Sequence, residues 1–150
     1  MRFAVALAVI VLHATAAGTA HADDKSDCSY LEITATNGKA PSVDPDLKDL
    51  DKKLKKPPFT SWNTFHKLSS GPVALVKQKP NALKLAQGAA SIVLRDRNDK
   101  RVELSITIDG ADGKRVLDNK QSMAVGDWAV WAVWVHNVKD DGHILALTCK

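Results

Sequence analysis

The stretch DWAVWAVWVHN, residues 127–137, holds three of the four tryptophans of the chain, and its reading decides the fold. Trp128, Trp131 and Trp134 recur every third residue, a spacing compatible with one face of a helix. Three features argue for a strand instead. Val130, Val133 and Val135 fit a pleated surface, Gly126-Asp127 precedes the run, and Lys139-Asp140-Asp141-Gly142 follows it. On a strand, Trp128, Val130, Ala132, Trp134 and His136 share one face, and Ala129, Trp131, Val133 and Val135 share the other. Both faces are apolar. An even-length hairpin loop into the last run would set the first group beside His143, Leu145, Leu147 and Cys149, making that the core face. Trp131, Val133 and Val135 then need a cover, which either a helix or a partner supplies.

Working outward, the texture stays β. From Ser29 the chain alternates, with Leu31, Ile33 and Ala35 on one side and Glu32, Thr34 and Thr36 on the other, until Asn37-Gly38 ends the run. One helix interrupts the pattern: Asp44 is its N-cap, Pro45 its first residue, and Leu47, Leu50 and Leu54 recur at helical spacing until Pro57-Pro58 stops it. Short β runs follow over 61–68, 73–77, 82–86, 90–97, 101–108, 114–120, 128–138 and 143–149. Asn98-Asp99, Asp109-Gly110, Asp112-Gly113, Gly126-Asp127 and Asp141-Gly142 separate the later ones. Regular short strands with such turns predict a mainly β chain. The expected fold is a single antiparallel β-sandwich of about eight strands with one inserted α-helix, an Ig-like or small-barrel arrangement being the alternative.

The ends say where the domain works. Arg2, the apolar run 3–12 and Ala20-His21-Ala22 have the charge, length and small-residue site of a secretory signal, so residues 1–22 are expected to be removed and 23–150 to form the domain. Charged residues before Cys28 argue against a lipoprotein site. The whole chain has 150 residues, 45% hydrophobic, with a formal charge of +4. Without Arg2 the charge is about +3, too small to mark a nucleic-acid binder. No run reaches the roughly 18 apolar residues of a membrane span. Cys28 and Cys149 are the only cysteines, and export would join them as a disulfide that closes almost the whole domain. The expected setting is periplasmic or extracellular.

Chemistry-bearing patterns are sparse. Five lysines crowd residues 48–56, yet the acids Asp44, Asp46, Asp49 and Asp51 fall toward the start and Lys52, Lys53, Lys55 and Lys56 at the end, an order that complements the helix dipole. Asp109 to Gly113 and Arg95 to Asp99 have turn composition rather than calcium-ligand spacing. Glu32 and Glu103 read as outward residues of alternating strands, which disfavours a paired-carboxylate hydrolase. His136 and His143 could lie diagonally on one hairpin face, but a metal would need a third ligand, so no metal is expected. No nucleophile elbow, zinc-protease helix or phosphate loop is present, and no cofactor is expected.

These observations predict an exported, non-catalytic binding or structural module that meets an envelope or extracellular protein through an apolar strand face. Trp131, Val133 and Val135 would form the contact, with Lys52, Lys53, Lys55 and Lys56 as electrostatic accessories. A carbohydrate-binding module is the first alternative and requires Trp62, Phe59 or Tyr30 to be exposed together. A small secreted hydrolase or hydrolase inhibitor is the second.

Overall fold

A computed structural model describes residues 24–134 and 141–150. Residues 1–22, expected to be a signal, and Val135 and His136 lie outside the described residues. The chain forms β1 (Lys25–Thr36), β2 (Ser42–Val43), a 3-10 helix (Pro45–Leu50) running into the single-turn α1 (Asp51–Leu54), and a 3-10 turn (Phe59–Ser61). It continues as β3 (Thr64–Val76), β4 (Pro80–Leu85), β5 (Gly88–Arg97), β6 (Arg101–Asp109), β7 (Arg115–Ala124), β8 (Trp128–Trp134) and β9 (Gly142–Cys149). Five strands build one sheet in the order β2-β3-β1-β9-β8, and four build the other in the order β4-β5-β6-β7. Two separate sheets make this a sandwich rather than a barrel. The second sheet is one uninterrupted meander, unlike the alternation of an Ig domain.

Several sequence expectations need correction. The runs 61–68 and 73–77 are one strand, because Gly71-Pro72 does not turn but pairs with Tyr30 and Ser29 of β1. Proline is tolerated there because β2 reaches only Thr64 and Phe65, leaving β3 an edge strand at Pro72. The β2–β3 pairing is parallel, so the sandwich is not wholly antiparallel. The predicted helix is mostly 3-10, with one α turn. Asp44 makes no side-chain cap; its carboxylate instead accepts the Lys67 N–H at 2.8 Å and faces His66 Nδ1 at 2.9 Å, tying the helix entrance to β3.

Two apolar clusters lie on opposite faces of the five-stranded sheet. Between the sheets, Leu75, Leu145, Leu147 and Trp131 meet Ile92, Leu94, Leu104 and Ile106. On the outer face, Leu47, Leu50 and Leu54 of the helical segment join Phe59, Trp62 and Phe65 over Ile33, Ile144 and Ala146. The centre of the sheet is therefore covered twice. Cys28 and Cys149 are direct cross-strand partners on β1 and β9 and are bonded across a sequence separation of 121. Both are buried.

Candidate functional site

The register of the last hairpin fixes what the tryptophan strand can do. Trp128 pairs with Thr148, Val130 with Ala146, Trp131 with Leu145 and Trp134 with Gly142. The odd number of residues between Trp134 and Gly142 inverts the expected faces. Ala129, Trp131 and Val133 share the side of Leu147, Leu145 and His143, which looks into the sandwich. Trp128, Val130 and Ala132 share the side of Thr148, Ala146 and Ile144, which meets the helical segment. Trp131 is only 4% exposed and Val133 9%. Of the expected stripe, the described residues Trp131 and Val133 are therefore not exposed, and what covers Trp131 is the four-stranded sheet, not the helix. The indole N–H of Trp131 is buried without a hydrogen-bond partner among the described residues.

What β8 leaves open is its backbone. It ends the sheet order and, among the described residues, pairs with β9 alone, so alternate residues turn their N–H and C=O groups away from the sheet. Such edges are normally blunted, and the other sheet ends of the described residues are. β2 has two residues, and the edge of β3 beyond it carries Lys67 and Pro72; β4 opens on Pro80 and carries Lys84; β7 carries Arg115, Asp118 and Lys120. β8, with the sequence WAVWAVW, has neither charge nor proline.

The basic helix end lies beside the start of this edge. Lys53 Nζ sits 3.1 Å from the Asp127 carboxylate, immediately before β8. The Trp128 N–H, donated at 2.7 Å, and the Lys53 ammonium hold the Asp127 carboxyl below its ordinary pKa. Lys55 pairs with Asp51 one turn back, at 2.6 Å. Lys52 and Lys56 are exposed. The structure thus brings Lys53 to the strand the sequence singled out, while Val135 lies outside the described residues.

A second constellation escaped the sequence reading. Glu32, expected to face outward, is fully buried, because β1 is central and covered on both faces. One carboxylate oxygen, Oε1, accepts the His143 Nε2–H at 2.8 Å and the Gln87 N–H at 3.0 Å. The other, Oε2, accepts the Ser69 hydroxyl at 2.5 Å and the Ala86 N–H at 2.9 Å. Burial pushes the carboxyl pKa up, but the hydrogen bonds from His143, Ser69, Ala86 and Gln87 outweigh it and hold the value at about 2. Ala86 and Gln87 are the two residues between paired Leu85 and Gly88, so Glu32 clasps the tip of the β4–β5 hairpin to β1 of the opposite sheet. The disulfide carried the missing signal: Cys28 bonded inside the sandwich sets Tyr30 and Glu32 on the same face.

Ser69, Glu32 and His143 do not form a nucleophile relay. Serine and histidine both bond the carboxylate rather than each other, and Glu32 and His143 are sealed from solvent. Among the described residues, no three His, Cys, Asp or Glu side chains are grouped to hold a metal. Glu103 is exposed, as expected. Asp109 pairs with Arg115 at 2.5 Å, while Asp112 and Asn98 accept backbone N–H groups of their own turns. Phe59 and Trp62 are buried, so they form no glycan platform with Tyr30.

With that geometry in view, the known proteins add little. No protein-family model matches the chain. No curated protein matches it. Among solved structures it is similar to the T2SS secretin XcpQ from Pseudomonas aeruginosa, determined by cryo-EM, at 11% identity and a TM-score of 0.39. The match covers 88% of this chain and spans 59% of that one. No helix of the described residues is long and apolar enough to cross a membrane.

Proposed function

We propose that the protein is an exported, non-catalytic binding module that takes an extended segment of an envelope or extracellular protein onto the free edge of β8. The observation that carries this reading is the contrast among sheet ends: the described residues guard the others with shortness, proline or charge and leave one apolar seven-residue strand unguarded. Main-chain pairing supplies affinity in such additions, and alternate side chains supply selectivity. Lys52 and Lys56, exposed on the helical segment that Lys53 ties to Asp127, favour a segment with acidic residues at that end. Export is supported by the signal-like residues 1–22 and by the Cys28–Cys149 bond, which persists in oxidising compartments.

The test is affinity capture with the oxidised protein and with Ala132→Lys. Ala132 is half-buried on the outer face of β8, so a lysine there can reach solvent while placing a charge along the edge. Loss of capture by a variant whose near-ultraviolet circular dichroism is unchanged supports strand addition. Equal capture by both forms refutes it.

A further inference from the structure

Read backwards, β8 keeps its three tryptophans in place and exchanges each valine with an alanine, a pattern that bears on which chain its edge fits. Read antiparallel to itself about Trp131, the strand WAVWAVW sets Trp131 opposite Trp131, Val130 opposite Ala132, Ala129 opposite Val133 and Trp128 opposite Trp134. Every valine then meets an alanine. A large residue beside a small one is the size match that lets cross-strand neighbours fit without crowding. Registers displaced by three residues also match tryptophan with tryptophan, but they pair fewer residues, so the longest ladder is the one centred on Trp131.

We infer that the edge of β8 accepts β8 of a second copy of this chain. The result is a two-fold dimer in which two five-stranded sheets become one continuous sheet. This rests on the reading of β8 as an open edge, and names its occupant. Three observations support it. The strand is uncharged along its whole length, so like charges are never apposed across the axis. Among the described residues its N–H and C=O groups find main-chain partners on β9 only, the Trp128 N–H being taken by the Asp127 carboxylate. A two-fold axis also makes the contact self-limiting, because it uses the β8 edge of both copies and leaves outward the guarded β4, β7 and β2 ends. An external strand would then compete with the second copy for the same edge.

Sedimentation velocity of the disulfide-bonded protein, purified after expression of the full chain, tests this over a concentration series. A monomer–dimer equilibrium is expected. Ala132→Glu and Val130→Lys should each weaken the dimer about tenfold or more, since each sets charges against apolar partners across the axis. Mixing the two variants should restore association, because the ammonium introduced by Val130→Lys in one copy then faces the carboxylate introduced by Ala132→Glu in the other. If either variant fails to fold, amide exchange of wild-type residues 128–134 provides the same test without substitution: protection of β8 must rise with protein concentration. A wild type that stays monomeric, or a dimer indifferent to both charges with β8 exchange independent of concentration, overturns the inference. Capture of a partner that Ala132→Lys abolishes would still stand with a monomer, so the two readings fail separately.

Discussion

Glu32 is the residue on which physical chemistry makes its sharpest demand. A carboxylate with no solvent exposure survives only because four donors surround it. Its pKa in the folded chain, about 2, lies below the ordinary 4.5. A depressed acid stabilises the fold fully above its unfolded pKa and loses that contribution as pH falls toward the folded value. The clasp should therefore contribute on the order of 3 kcal/mol at neutral pH, lost progressively from about pH 5 down to about 2. Urea unfolding at a series of pH values should show this acid limb, and Glu32→Gln should flatten it while losing about 2–4 kcal/mol at pH 7. A mutant that keeps the limb would place the titration elsewhere. Trp131 makes the second residue-scale prediction. Its burial among Met123, Leu145 and Leu104 makes Trp131→Ala a cavity mutation costing about 3–5 kcal/mol, seen as a large drop in melting temperature. A variant as stable as wild type would return Trp131 to the surface.

At the scale of elements, the strands and their turns were legible because alternation and Gly/Asp punctuation act locally. The faces were not, because register is set by loop length and by what covers a strand from outside. The inversion at β8 follows from one residue in the hairpin count, and the misreading of Glu32 from the assumption that β1 has a single buried face. The helical segment was found, but its 3-10 geometry was not visible in the leucine spacing, which fits either form over so short a run. Its role as a lid on the outer face makes a separate prediction. Leu50 is fully buried against the five-stranded sheet, so Leu50→Ala should cost about 2–5 kcal/mol. It should also speed amide exchange in residues 45–62 more than in β4–β7, which lie on the other sheet. Uniform acceleration across both sheets would mean that the lid is not a separable unit.

For the whole molecule, the disulfide and the sheet ends act together. Cys28–Cys149 fixes β1 against β9, and β9 is the strand that presents β8. In the chain-entropy account a bridge closing some 120 residues contributes on the order of 5 kcal/mol, so reduction should lower the denaturation midpoint steeply. An unchanged midpoint in reductant would remove the bridge from the stability of the fold. The sandwich class and the bridge could both be read from the sequence. The mode of action of the tryptophan strand could not, since that depends on β8 being last in the sheet, a property of the assembled order. The functional claim accordingly moves from the side chains of Trp131 and Val133 to the backbone beside them. Hydrogen exchange on the partner-bound protein measures this most directly. New protection is expected at alternate amides within 128–134, those turned away from β9. Protection confined to another surface, with β8 exchanging as in the free protein, would contradict it.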